Sequence, residues 1–201
     1  MIKYIFSALV GYLVGSLSPA ALISKIKHKD LRRIGTHNLG ATNVALTIGK
    51  GWGIVVMVFD VAKAYLSYKL SELAFPDVAY IGLVAAGATV VGHVFPFYLG
   101  FRGGKGLACF GGLVLAYDVG LFLFMLAVSV VLMLLVNHAF VVPFYGGIAF
   151  FLAVVLREHE AFAVVVTFFV SLLLLLKNSS NMVLAIKGKD IKIRDYIKGR
   201  Q

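Results

Sequence analysis

Residues 92–108, GHVFPFYLGFRGGKGLA, set two cations among glycines in the middle of a chain that is otherwise strongly apolar. Arg102, Gly103, Gly104, Lys105 and Gly106 form the densest part of it. Glycine N–H groups can approach an anion closely with no Cβ in the way, and the two side chains add positive charge. The apolar run that resumes at Leu107 predicts a helix whose N-terminus opens at these glycines, bringing its positive dipole end to the same place. The chemistry such a group suits is capture of a phosphate. It is not that of a nucleotide-triphosphate loop, because Leu99 stands at the first glycine of G-x-x-x-x-G-K-[ST] and Gly106 where a hydroxyl would hold magnesium. A plain membrane loop with glycine turns and a positive flank has the same composition, so these residues alone leave both readings open.

A second polar stretch, residues 25–50, reads KIKHKDLRRIGTHNLGATNVALTIGK. Thr36, Asn38, Thr42 and Asn43 lie among Gly35 and Gly40, the composition of a folded turn that builds a polar pocket. Asp60 and Lys63 are one helical turn apart inside an apolar run, where charges are costly and must face the bundle interior, a pocket or each other. A structural ion pair and a functional pair are both consistent with that spacing. His93 is a candidate base or a structural hydrogen-bonder at a span's end, the second being the commoner use of a lone histidine. Cys109 is the single cysteine, which excludes an intramolecular disulfide and offers no C-x-x-C or metal cluster.

The elements that carry these residues belong to a membrane. With 61% hydrophobic and 14% charged residues in 201, and a mean hydropathy of +0.95, a water-soluble globule would have far more apolar surface than it could bury. The expected fold is all-α and polytopic, a single domain over 1–201, with about seven spans: 4–24, 52–68, 79–91, 107–116, 119–136, 140–156 and 162–176. Ser16, Ser18 and Pro19 mark where the first span lines a cavity or bends, Gly11 and Gly15 a close helix contact, and Pro143, Gly146 and Gly147 a kink in the sixth. Residues 69–77 read as a short polar connection and 177–201 as a basic tail. Of the nineteen Lys and Arg residues, fifteen fall on one face when the loops are assigned alternately. That bias puts the N-terminus outside and the polar loops, the glycine group and the tail in the cytoplasm; it also accounts for the net charge of +10 without nucleic acid.

Residues 35–43, GTHNLGATN, resemble the GSGNxGATN signature of the bacterial acyl-phosphate:glycerol-3-phosphate acyltransferase family (PlsY). Gly92-His93-x-x-Pro96 leading into residues 100–108 is similar to its second signature, GHxxPxxxxFKGGKGVA, and residues 60–63 are similar to its DxxKG element. The resemblance implies a seven-helix membrane enzyme that moves a fatty acyl group from acyl phosphate to the 1-hydroxyl of sn-glycerol 3-phosphate, giving lysophosphatidic acid and phosphate. It implies a reaction with neither acyl-CoA nor metal, so no cofactor is expected, and none of the five histidines begins a His-x-x-x-x-Asp motif. It implies catalytic roles for Lys105, Asn43, Thr36 and His93. Substrate contacts would come from Arg102, Gly103, Gly104, Gly106, Asn38, Gly40, Thr42 and Asn181, with Asp60 and Lys63 in support. Expected partners are the two substrates, the lipid bilayer of the cell inner membrane and, by association, the enzyme that produces the acyl phosphate. The chain departs from the family at His37 (usually glycine), at Leu46 (near a usual arginine) and over 178–184, where Asn181 alone matches the closing H-R-x-N-I-x-R element. A transport or non-catalytic protein that binds a phosphorylated or lipid anion on the same scaffold is the second reading.

Overall fold

A computed structural model describes residues 1–188 and 192–194, and among these the regular elements are helices. The chain divides into two compact units, residues 1–117 and 118–201, each described by itself below.

The first unit opens with α1 (Ile2–Ser16) and α2 (Pro19–Ile26). The bend expected near Ser18 is a break: Ser18 caps α2, its Oγ accepting from the Ala21 N–H at 3.2 Å, and Pro19 takes the first turn, where no amide donor is needed. Inside the polar stretch lies a short helix, α3 (Ala41–Thr47). Then α4 (Lys50–Ala74) runs 25 residues, so 69–74 continue the helix in place of the expected connection. An i,i+3 pair between Lys69 and Glu72 at 3.0 Å suits that helix, and polarity alone had read as a loop. The unit closes with α5 (Ile81–Val94), a 3-10 turn (Phe97–Leu99) and α6 (Leu107–Tyr117).

Small residues set the spacing of this unit. A Cβ at Gly11 or Gly15 would meet the main chain of Ala85 or Thr89, and one at Gly92 the main chain of Tyr12, so α1 and α5 touch backbone to backbone, as the G-x-x-x-G spacing predicts. Gly112 does the same for α6 against Val61 of α4. Leu31, Leu39, Val44 and Val56 form a buried cluster with Ala20 and Ile23, onto which Ile34, Ile48 and Leu99 pack. Burying each large side chain in such a cluster contributes about 1.5–3 kcal/mol relative to leaving it in water. The polar stretch is therefore anchored by its own apolar residues.

The second unit contains α7 (Val119–Val136), α8 (Val141–Arg157) and α9 (Ala161–Ile186). Pro143 falls in the first turn of α8, where its missing N–H costs no intrahelical bond; the expected kink has no such cause there. Residues 177–186 extend α9 and are not tail. Of the remaining tail, 187–188 and 192–194 are described, while 189–191 and 195–201 lie outside the described residues. Among the described residues, four stretches are long and apolar enough to cross a membrane: 2–26, 81–99, 119–136 and 161–186. The helices α6 and α8 are apolar but shorter, and α4 has the length but carries Asp60 and Lys63 within it.

Candidate active site

Asn43 organises the first signature. It is fully buried; its Oδ1 accepts from the Thr36 N–H at 2.8 Å, and its Nδ2 donates to Leu31 O at 2.7 Å, Asn38 O at 2.9 Å and Ile34 O at 3.2 Å. Every donor of that amide is spent on the loop's main chain. In this arrangement Asn43 shapes the loop, a role that the catalytic one implied by the resemblance did not include. Around it, Asn38 Nδ2 donates to the Thr36 hydroxyl at 3.2 Å, both side chains half-buried, while Thr42 is exposed at the start of α3. Gly40 precedes α3, and a Cβ there would meet Asn38 Oδ1 at 2.8 Å.

The second signature folds back on the end of α5. The Gly103 N–H donates to Val94 O at 3.0 Å and the Gly104 N–H to His93 O at 3.1 Å, while Phe95 O accepts from the Tyr12 hydroxyl at 2.8 Å. Helix-terminal carbonyls need donors, and the glycines supply them. The expectation that the amides of Gly103 and Gly104 face a phosphate is thereby corrected. Gly106 remains at the start of α6, its carbonyl accepting from the Phe110 N–H at 2.8 Å, with Lys105 half-buried just before it and Arg102 exposed.

The two signatures meet. Gly104 has the Nε2 of His93 on one side and the carbonyl of Leu39 on another, packed so closely that a side chain there has no room. Arg32 Nη2 donates to Leu99 O at 3.1 Å, tying the polar stretch to the turn before the glycines. Thr36 and Asn38, with Thr42 just beyond them in α3, thus belong to a stretch whose Leu39 touches the residue next to Lys105. Asn181, with Asn178 buried one turn before it, belongs to α9 in the second unit.

Asp60 and Lys63 form the expected ion pair, Nζ to Oδ1 at 2.8 Å, both almost fully buried. The pair has partners that the spacing could not reveal. Lys63 Nζ also donates to Leu17 O at 2.8 Å, in the break between α1 and α2, and lies 3.1 Å from His93 Nδ1, which is itself 3.3 Å from Asp60 Oδ1. Cys109 comes close as well, so that Asp60, His93 and Cys109 present potential metal-ligand atoms within 4.8 Å of one another. The Lys63 ammonium already brings positive charge to that group. His93 is 6% exposed with Nδ1 in this network and Nε2 against Gly104, a placement that suits support of the loop better than proton transfer.

Comparison with known proteins agrees with the motifs. The family model described as glycerol-3-phosphate acyltransferase matches residues 5–188. A glycerol-3-phosphate acyltransferase of Macrococcus caseolyticus (strain JCSC5402) is 31% identical over 190 residues, covering 92% of this chain and 95% of the relative. That of Aquifex aeolicus (strain VF5) is 27% identical over 188 residues, covering 94% and 98%. Crystal structures of PlsY (YgiH), an integral membrane glycerol 3-phosphate acyltransferase, superpose well. Its glycerol 3-phosphate form has a TM-score of 0.89 at 26% identity, covering 98% of this chain and 99% of that one. Its lysophosphatidic acid form has a TM-score of 0.83 at 25% identity, covering 94% of each. With both signatures in order and the match extending over nearly the whole length, the chain belongs to the glycerol-3-phosphate acyltransferase family of membrane enzymes.

Proposed function

We propose that this family member transfers a fatty acyl group from acyl phosphate to the 1-hydroxyl of sn-glycerol 3-phosphate, the first step of phospholipid biosynthesis. The observation that carries the reading is the meeting of the two signature loops at Gly104, with Lys105 at the threshold of α6. Acyl phosphate is a mixed anhydride with a good leaving group, so the protein's task is to hold two anions and a lipid chain in line and to neutralise charge. The hydroxyl oxygen attacks the acyl carbonyl and the C–O bond to phosphate breaks. Phosphate leaves with the electron pair, and the hydroxyl proton passes to it. Lys105, Arg102 and the N-terminal amides of α6 suit one phosphate. Thr36, Asn38 and Thr42 suit the other phosphate or the glycerol hydroxyls. Neither a metal nor another cofactor enters this scheme.

The same reading places the chain across the cell inner membrane as a seven-span protein, α1 with α2 counting as one span and α3 as none, and with its site facing the cytoplasm. The enzyme that produces acyl phosphate is the natural neighbour, since its product is reactive and lipid-bound. Radiolabelled glycerol 3-phosphate incubated with purified protein and synthetic acyl phosphate tests the activity. Label is expected in the lipid phase only when both substrates are present, whereas unmodified label accumulating inside proteoliposomes would indicate transport. Orientation is tested by cysteine replacements: those within residues 35–43 should react with impermeant reagents only from the cytoplasmic side, and one at Asp77 only from outside. The opposite labelling would overturn the placement.

A further inference from the structure

We propose that Asp60 and Lys63 are positioning residues for the phosphate site, acting through His93 on Gly104 and so on Lys105; this rests on the reading of Lys105 given above. Asp60, Lys63 and His93 are 1%, 4% and 6% exposed, yet all are polar or charged and come from two different helices, α4 and α5. A buried ion pair is a poor stabiliser: the cost of taking both charges out of water consumes most of their attraction, and an apolar pair of similar volume commonly does as well or better. What this pair supplies is fixed geometry. Lys63 Nζ holds three groups at once, Asp60 Oδ1 at 2.8 Å, Leu17 O at 2.8 Å and His93 Nδ1 at 3.1 Å. Asp60 Oδ1 approaches outside the angles of a directional hydrogen bond, so its contact with Lys63 acts through charge, and the same ammonium, donating to His93 Nδ1, offsets the approach of that nitrogen to Asp60 Oδ1 at 3.3 Å. The imidazole is thereby pinned on its Nδ1 edge.

Its other edge bears on the glycine group. Nε2 lies against Gly104, with Leu39 O of the first signature also in contact, and the main-chain carbonyl of the same histidine accepts the Gly104 N–H at 3.1 Å. One residue therefore grips Gly104 by both side chain and backbone. A ring free to rotate about its Cβ would press on Gly104 or leave a gap beside it, and either displaces Lys105, the next residue. Displacement of a phosphate-binding group by about 1 Å costs binding and turnover even when the fold is intact. The buried charges in α4 thus reach the chemistry without touching substrate.

The test compares the charge-neutral double variant Asp60→Asn/Lys63→Met, the single variant His93→Gln and Lys105→Ala in purified full-length protein. Melting temperature and acyl-transfer kinetics are measured at varied glycerol 3-phosphate and varied acyl phosphate. His93→Gln leaves the Asp60–Lys63 pair in place, so it covers the case in which the double variant fails to fold. The expected result is that the variants which fold melt near wild type and raise, about tenfold, the KM for the same substrate whose KM rises in Lys105→Ala, with a smaller change in kcat. Wild-type KM values in a folded double variant or in folded His93→Gln would overturn the proposal, as would activity falling only in step with melting temperature or neither variant folding. Lys105→Ala with wild-type kinetics would instead remove the phosphate-site reading itself.

Discussion

The Oδ1 of Asn43 accepts the Thr36 N–H at 2.8 Å, so the residue that names the end of the first signature holds the residue near its beginning. Replacing Asn43 with alanine strips the loop of this acceptor and of the donors to Leu31 O, Ile34 O and Asn38 O. Each buried group left unpaired costs about 1–3 kcal/mol. Asn43→Ala is expected to lower the melting temperature in detergent and to abolish activity through loss of the loop. Thr42→Ala, at an exposed position, should melt like wild type. An Asn43→Ala protein of wild-type stability that had lost only turnover would point to a direct catalytic role instead.

His37 adopts φ +55° at a position where the family has glycine. The left-handed region costs an L-residue about 1–2 kcal/mol, whereas glycine enters it freely. His37→Gly is expected to raise the melting temperature relative to His37→Ala, which keeps the strain and lacks only the imidazole. The gain is limited to about 1 kcal/mol because glycine also loosens the unfolded chain. Equal melting of the two variants would mean that the loop adjusts without strain.

How far the sequence reached can be seen at the glycines and the ion pair. The i,i+3 spacing of Asp60 and Lys63 predicts their contact, since it depends on one helix alone. The addition of His93 depends on the register of α4 against α5, which is set by close contacts such as Gly82 on Tyr68 that no local pattern encodes. The helix at Leu107 was legible from the return of apolar residues, but counting Gly103 and Gly104 amides as available for an anion overlooked the unpaired carbonyls at the end of α5. Helix ends suffered similarly: Lys69 to Ala74 and Lys177 to Ile186 are polar enough to resemble loops, yet the backbone bonds of α4 and α9 continue through them.

Asp118 offers a pH test in the second unit. Its Oδ1 accepts the Leu121 N–H at 2.6 Å and its Oδ2 pairs with Arg157 at 2.8 Å, which hold the carboxyl below its ordinary value of 3.8. A depressed folded-state pKa contributes stability above the unfolded value and loses it as pH falls through the folded one. Asp118→Asn is therefore expected to melt slightly below wild type at neutral pH, with the gap closing as the pH drops below 3.8. The effect is small because the pair is more than a third exposed. A gap that persisted unchanged into strong acid would show that the charge does not carry it.

Lys105 is the residue on which the functional reading depends. It stands between buried Gly104 and buried Gly106, the latter at φ +87°, immediately before α6. On the proposed reading an ammonium there would meet a substrate phosphate together with the first amides of the helix. Lys105→Ala should remove a charge-assisted contact of about 1.5–3 kcal/mol, about 10- to 150-fold in KM for the substrate concerned. A further loss in kcat is expected if charge builds on that phosphate in the transition state. Lys105→Arg should rescue only in part, because a planar fork cannot take the place of a compact ammonium between glycines. Lys189→Ala, a tail cation outside the described residues, should leave turnover nearly unchanged, its charge serving topology and contact with anionic lipid. Acyl transfer measured at several concentrations of each substrate, with melting to establish folding, decides the matter. A folded Lys105→Ala protein with wild-type kinetics toward both substrates would place the phosphate elsewhere.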